Sequence, residues 1–181
     1  MEVKQHALAG VVEFTPRIFE DSRGIFFESF SARVMAEAGA VGEWVQDNQS
    51  SSGLGVLRGL HFQRPPYSQA KLVRVATGRV RDFIVDLRRS SPTYGQHLSV
   101  ELDSRRGNIL YIPTGFAHGF YALQDDTLFL YRCSDYYEPG SEGGLCWNDP
   151  TLNINWHATN PIVSDKDKML PAFAGFESPF A

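Results

Sequence analysis

Cysteine is scarce: the 181-residue chain has two, Cys133 and Cys146. They match no zinc-ligand spacing and are too few for a disulfide framework, so they read as reduced packing residues. No apolar run approaches the roughly 20 residues that a bilayer span needs. The opening MEVKQHALAGVVEF has no apolar stretch long enough for a secretory leader. The expectation is a cytoplasmic protein with no membrane partner. Excess charge is small, a net −4, and its sign is wrong for a nucleic-acid binder held by a general basic field. An anionic small ligand stays compatible, because a pocket obeys local charge. Repeats and low-complexity linkers are missing as well, so residues 1–181 read as a single domain, long enough to bury a full core.

Helix is equally thin. Only Ser31–Ala38 has a helical pattern in the first half, with Ser31 as N-cap and Gly39 as terminator. A second short helix is expected at Ser164, where Ser164 and Asp167 form a capping-box-like pair. What is plentiful is strand. Short apolar segments between glycines and prolines predict strands over Val11–Phe14, Ile25–Phe30, Trp44–Asn48, Val56–Phe62, Lys71–Ala76, Arg79–Leu87, His97–Leu102, Ile109–Ile112, Phe120–Leu123 and Thr127–Cys133. Even spacing with little helix points to an all-β jelly-roll barrel with a few short helices. The tail from Pro171, rich in Phe, Gly and Pro, reads as loosely held over 172–181 or docked on a partner subunit.

Two glycine–histidine patterns sharpen that reading. Gly55, His61 and Gly78 have the spacing of a first cupin motif, and Gly107, Pro113, Gly115 and His118 that of a second, so the barrel resembles the cupin-like double-stranded β-helix. Metal-binding cupins carry two histidines and a glutamate in the first motif. Here Gln63 stands for the second histidine and Lys71 for the glutamate. An ammonium repels a divalent cation and has no lone pair to donate, so no metal is expected. Strand alternation then places Leu57, Gly59, His61 and Gln63 on one face, and Lys71, Val73 and Val75 on a face of the next strand. Phe129, Tyr131 and Cys133 share a third. If these faces line the barrel, His61, Lys71 and Tyr131 meet in one cavity and Arg58 points away, unless a bulge at Gly59 re-aims it.

Beyond the cupin skeleton, the chain resembles the dTDP-4-dehydrorhamnose 3,5-epimerase family along nearly its whole length. The matching segments, in order, are FEDSRGIFFESF (19–30), QDNQSSSGLGVLRGLHFQRPP (46–66), QAKLVRVATGRVRDFIVDLRRSSPTYG (69–95), YIPTGFAHGF (111–120), YRCSDYYEPGSE (131–142), WNDPTLNINW (147–156) and SDKDKMLP (164–171). Their joint order and spacing are far more specific than any one of them. Leu54, where a basic residue is usual, and His157, where proline is, depart from the pattern away from the chemistry. The resemblance implies a homodimer, no cofactor, and a dTDP-4-keto-6-deoxy sugar substrate inverted at C3 and C5.

The residues suit that chemistry. A C4 ketone acidifies the hydrogens on C3 and C5, and inversion needs a base, an enolate stabiliser and an acid on the opposite face. Histidine titrates near neutrality, which fits His61 as base. Lys71 supplies a fixed cation for the enolate, and Tyr131 a proton donor that is neutral at pH 7. By resemblance, Asp167 orients His61. Arg23 holds pyrophosphate, on its own or the partner's site, and Arg58 holds phosphate. Glu28, Gln46 and Asn48 meet the thymidine, Tyr137 stacks on the base, and His118 and Phe120 line the sugar pocket.

Each residue also has a plainer reading. His61 could be a bonded core histidine, His118 a wall residue, Tyr131 core, Lys71 a strand lysine reaching to the rim. Arg23 after Asp21 could be a turn ion pair, Glu28 a solvated edge, Asp167 a helix cap and Tyr137 dimer packing. Two other functions fit parts of the pattern. An epimerase inverting C3 alone, or one acting on another dTDP-4-keto-deoxysugar, would use the same trio. A metal-dependent cupin oxygenase would need ligands where Gln63 and Lys71 stand.

Overall fold

Alternating apolar side chains build the fold in the computed structural model, which describes residues 1–181. Fourteen strands and two short helices follow one another as β1 (Glu2–Gln5), β2 (Val12–Thr15), β3 (Phe19–Asp21), β4 (Gly24–Phe26), α1 (Ala32–Glu37), β5 (Gln46–Ser52), β6 (Val56–Gln63), β7 (Lys71–Thr77), β8 (Arg79–Asp86), β9 (His97–Asp103), β10 (Ile109–Ile112), β11 (Phe116–Ala122), β12 (Thr127–Cys133), β13 (Glu142–Gly144), β14 (Ile162–Val163) and α2 (Asp165–Lys168). One sheet runs β1-β2-β10-β7-β12-β5. The other runs β13-β6-β11-β8-β9, with β14 joining β6 in parallel. Together they form the expected jelly roll. The hairpin β3–β4 stands apart as a two-stranded unit.

The two sheets share an apolar interior. Val73, Val75 and Phe129 from the first meet Val80, Ile84, Val100, Leu102 and Phe120 from the second. Their alternate side chains build an outer layer on each sheet. Leu57, Leu60, Phe62, Phe83 and Val85 pack under Leu145, Leu152, Trp156 and Phe180. Val12, Phe14, Leu72 and Ile109 pack under Met35 of α1. β11 is buried at every residue because both of its faces are covered, the arrangement expected of a central strand.

Four differences from the sequence reading matter. The strand expected over Ile25–Phe30 ends at Phe26, and its residues are exposed on the free hairpin. β5 starts later than expected and runs through the polar stretch QDNQSSS, which a hydrophobic pattern cannot mark as strand. Ser31 precedes α1 without making a side-chain cap, whereas Ser164 does cap α2 by accepting from the Asp167 amide. The tail is not loose. Phe176 and Phe180 meet the Phe62 ring edge-on at 5.8 and 5.7 Å, and the Ser178 hydroxyl donates to the Leu87 carbonyl. Its phenylalanines cover the outer face of this chain's own second sheet.

Candidate active site

Between the sheets lies a cavity of about 550 Å³ lined by His61, Lys71, His118, Phe120, Phe129 and Tyr131, with Arg58, Ser50 and Asp167 at its wall. That size suits a small-molecule ligand. His61 comes from β6 of the second sheet, Lys71 and Tyr131 from β7 and β12 of the first. The groups expected to remove and return a proton therefore approach from opposite walls.

Arg58 shares this cavity: alternation alone turned it outward, and the bulge that the sequence allowed at Gly59 re-aims it. Along the β6–β11 pair, His61 sits opposite His118 and Arg58 opposite Phe120. Two residues, Gly59 and Leu60, thus face one, Gly119: a bulge. The extra residue shifts the pleat by one, so Arg58 and His61 face inward while Leu57 and Leu60 turn to the outer core. The bulge needs both glycines. Gly59 has φ of +123°, and a β-carbon there would stand 2.5 Å from the Gly119 α-carbon. Arg58 is then held by β5, its Nε donating to Ser52 Oγ at 3.1 Å and Nη2 to the Ser51 carbonyl at 3.2 Å.

Helix α2 delivers the partner of His61. Asp167 Oδ1 lies 2.7 Å from His61 Nε2, and Oδ2 accepts from the Gly59 amide at 3.1 Å. The carboxylate is nearly sealed from solvent. Burial alone would raise its pKa, but the bonds to His61, Gly59 and Ser164 outweigh burial and hold it below the ordinary value. An ionised carboxylate only accepts, so Nε2 carries the proton and the imidazole lone pair sits on Nδ1. One side chain thus fixes both the tautomer of His61 and the bulge that aims it.

Lys71 is the cation of the site. Burial pushes its pKa below the ordinary lysine value, opposed by Cys133, Asp82 and Glu142. Burial also raises the Cys133 thiol. Lys71 Nζ lies 5.7 Å from the centre of the Tyr131 ring. Burial raises the Tyr131 phenol as well, keeping it a neutral donor. Behind them, Asp82 Oδ2 meets His118 Nε2 at 2.7 Å, while Oδ1 is buried without a partner. Desolvation lifts the Asp82 pKa against the pull of His118 and Lys71.

A second recess of about 310 Å³ shares His61, Lys71 and Tyr131 and adds Gln46, Asn48, Tyr137 and Glu142. Gln46 Nε2 donates to Asn48 Oδ1 at 3.0 Å, and Gln46 Oε1 accepts from the Tyr137 amide at 3.0 Å. Glu142 ties the rim together, accepting from Tyr137 Oη at 2.6 Å and Lys166 Nζ at 2.6 Å. Gln63, at the former metal-ligand position, is occupied elsewhere: its amide bonds the backbone N–H and carbonyl of Glu138. No group of three or more His, Cys, Asp or Glu side chains converges on one point.

Ten of the twelve residues singled out from sequence thus gather at one continuous cavity. Arg23 and Glu28 do not. Arg23 is exposed on the β3–β4 hairpin in an ion pair with Asp21, Nη2 to Oδ2 at 2.6 Å, and Glu28 is exposed just beyond it. Sequence reasoning missed Asp82, Glu142, Lys166 and Ser50. An aspartate between Val80 and the apolar run Phe83–Val85, on an expected strand, was a usable signal for Asp82, since a buried carboxylate needs a reason. The others lie in polar stretches where nothing distinguishes them.

Comparison with known proteins agrees with this geometry. The family model described as dTDP-4-dehydrorhamnose 3,5-epimerase matches residues 5–175. The dTDP-4-dehydrorhamnose 3,5-epimerase of Shigella flexneri is 47% identical over 168 residues, covering 92% of this chain and 93% of that protein. That of Pseudomonas aeruginosa is 46% identical over 176 residues, covering 96% and 97%. Among solved structures, the dTDP-6-deoxy-D-glucose-3,5-epimerase of Legionella pneumophila, in complex with dTDP-4-keto-L-rhamnose, superposes with a TM-score of 0.92 at 40% identity. That superposition covers 97% of this chain and 94% of that one. With a matched fold, a matched length, and His61, Lys71 and Tyr131 converging between its sheets, this chain belongs to the dTDP-4-dehydrorhamnose 3,5-epimerase family.

Proposed function

We propose that the protein inverts C3 and C5 of dTDP-4-dehydro-6-deoxy-D-glucose, giving dTDP-4-dehydro-L-rhamnose by proton removal and return through an enolate. The observation that carries this is the opposed placement of His61, with Asp167 behind it, against Lys71 and Tyr131 across one cavity. His61 Nδ1 takes the hydrogen from C3 or C5. The electron pair moves onto the C4 oxygen, where the Lys71 ammonium stabilises the developing charge in a desolvated site. Tyr131 then gives its phenolic proton to the opposite face of the same carbon. Each inversion leaves an imidazolium and a phenolate, and exchange with solvent resets the pair. The chemistry is redox-neutral, so it needs neither a hydride carrier nor a redox metal.

Arg58 is the cation placed for pyrophosphate, as an arginine fork suits phosphate oxygens. Gln46, Asn48 and Tyr137 form the thymidine end, with Tyr137 offering a flat face and Glu142 and Lys166 fixing its rim. Arg23 and Glu28 reach a nucleotide only if the β3–β4 hairpin crosses to a second copy of the chain. Half-exposed or more on that hairpin, Phe19, Ile25 and Phe26 suit such a contact, which supports a homodimer with a shared site. No helix is long and apolar enough to cross a membrane, and the substrate is a nucleotide sugar, which fits a cytoplasmic enzyme.

Incubation with substrate in D2O, followed by NMR, tests the reaction. Deuterium should enter at both C3 and C5. Incorporation at C3 alone would reduce the function to monoepimerisation, and no incorporation would overturn the reading.

A further inference from the structure

Resting on the epimerase reading, we propose that the C-terminal segment is a positioning strap for the reaction: Phe176 and Phe180 clamp Phe62 and so hold His61 against Asp167. The two partners are carried separately, His61 by β6 and Asp167 by α2, 106 positions further on. Their contact at 2.7 Å is only as good as the placement of these two elements. β6 is least held just past His61. There its ladder with β11 ends, and Phe62 and Gln63 pair only with the three-residue β13.

The strap reinforces that stretch. Leaving α2, it lays Leu170 against Gly144, the residue opposite His61, and its Pro171 carbonyl accepts from the Cys146 amide at 2.8 Å. It then crosses the outer face of the second sheet. Phe62 is nearly sealed there by Gly143 and by the rings of Phe176 and Phe180. Phe180 is pinned in turn. Its carbonyl accepts from the Arg89 amide and Nε, each at 3.2 Å. Its amide donates to Ser178 Oγ at 3.2 Å, and that hydroxyl donates to the Leu87 carbonyl. Phe176 leans on Phe173, whose amide is held by Asp149 at 2.8 Å. The strap therefore runs from the carboxylate behind His61 to the side chain next to His61. Strand alternation sets the consequence: with residue 62 fixed outward, residue 61 faces the cavity. A misplacement of about 1 Å at a reacting group can cost roughly a hundredfold in rate.

The test measures deuterium wash-in at C3 under single turnover, at a temperature where every variant is folded, with dTDP affinity alongside. Phe180→Ala should lower wash-in by roughly five- to twentyfold and leave dTDP affinity within about twofold of wild type. Phe180→Leu, which keeps most of the buried volume, should restore wash-in to within about threefold. The deciding measurement is a double-mutant cycle with Asp167→Asn. Because the strap acts through the His61–Asp167 pair, Phe180→Ala should cost less than about twofold once that pair is lost. The same loss in both backgrounds, a matching loss of dTDP affinity, or unchanged wash-in in Phe180→Ala would each overturn the proposal. If Phe180→Ala does not fold, Phe176→Ala, which removes the more exposed of the two rings, carries the same cycle. Failure of the epimerase reading is distinct, because wild type itself would then exchange no deuterium.

Discussion

Asp167→Asn should disable the base while leaving the site in place. The two carboxylate oxygens accept from two donors, His61 Nε2–H and the Gly59 amide. Asparagine has one oxygen and one NH2 group, so it cannot accept from both. If its oxygen keeps Gly59, its NH2 faces Nε2 and forces the imidazole proton onto Nδ1, the nitrogen that should take the substrate proton. If its oxygen keeps His61, a buried backbone N–H meets another donor, at a cost of about 1–3 kcal/mol. The first arrangement preserves the bulge and costs less, so loss of function should exceed loss of stability. Proton abstraction should fall by roughly two to four orders of magnitude, the range for a lost general base. Deuterium wash-in at C3 under single-turnover conditions reads this directly, with thermal unfolding and dTDP affinity as controls. Exchange within threefold of wild type would refute the tautomer reasoning. A collapse of folding would show that Asp167 serves the bulge more than the base.

Tyr131→Phe should separate the two half-reactions. Deuterium wash-in should persist with configuration retained, net inversion should fall roughly a hundredfold or more, and dTDP binding should be unchanged. Unchanged inversion would hand the acid role to another group. Activity should decline as pH rises through the Lys71 pKa, at a pH below that of an ordinary lysine, because burial lowers it. Here the unfolded chain binds the proton more tightly, so Lys71's contribution to stability rises with pH over that window. A Lys71→Arg variant whose alkaline limb stayed where wild type's lies would disprove the assignment. Asp86→Asn should cost about 2 kcal/mol, because burial raises this carboxyl but the bonds from Arg88, Thr93 and Ser91 hold it at about 2. That stability is present above the unfolded pKa and is lost as pH falls through the folded one, so acid melts of wild type and variant should converge. A constant gap would contradict this.

Sequence alone carried the barrel and most of the residues that line its cavity. Alternating valines, isoleucines and phenylalanines between glycines specify short two-sided strands, and that local pattern survives in β6 to β12 with ends shifted by a few residues. His61, Lys71 and Tyr131 were legible because each is a titratable side chain inside such a strand, where burial demands a purpose. Ser164 and Asp167 were legible as a cap, although only folding brings Asp167 to a histidine 106 positions away. Tertiary structure decided the rest. Simple alternation turned Arg58 outward; a bulge at Gly59 was conceivable from the sequence, but whether it forms depends on the strand that lies opposite, and here it does. The polar strand β5 had no hydrophobic period to announce it, being held by pairing with β12. Phenylalanines in the tail looked spare until the outer face of the second sheet supplied their partners. Local periodicity fixes what a strand is. Which neighbour it meets, and so which side chains face each other across the cavity, is a long-range choice that only the folded chain makes.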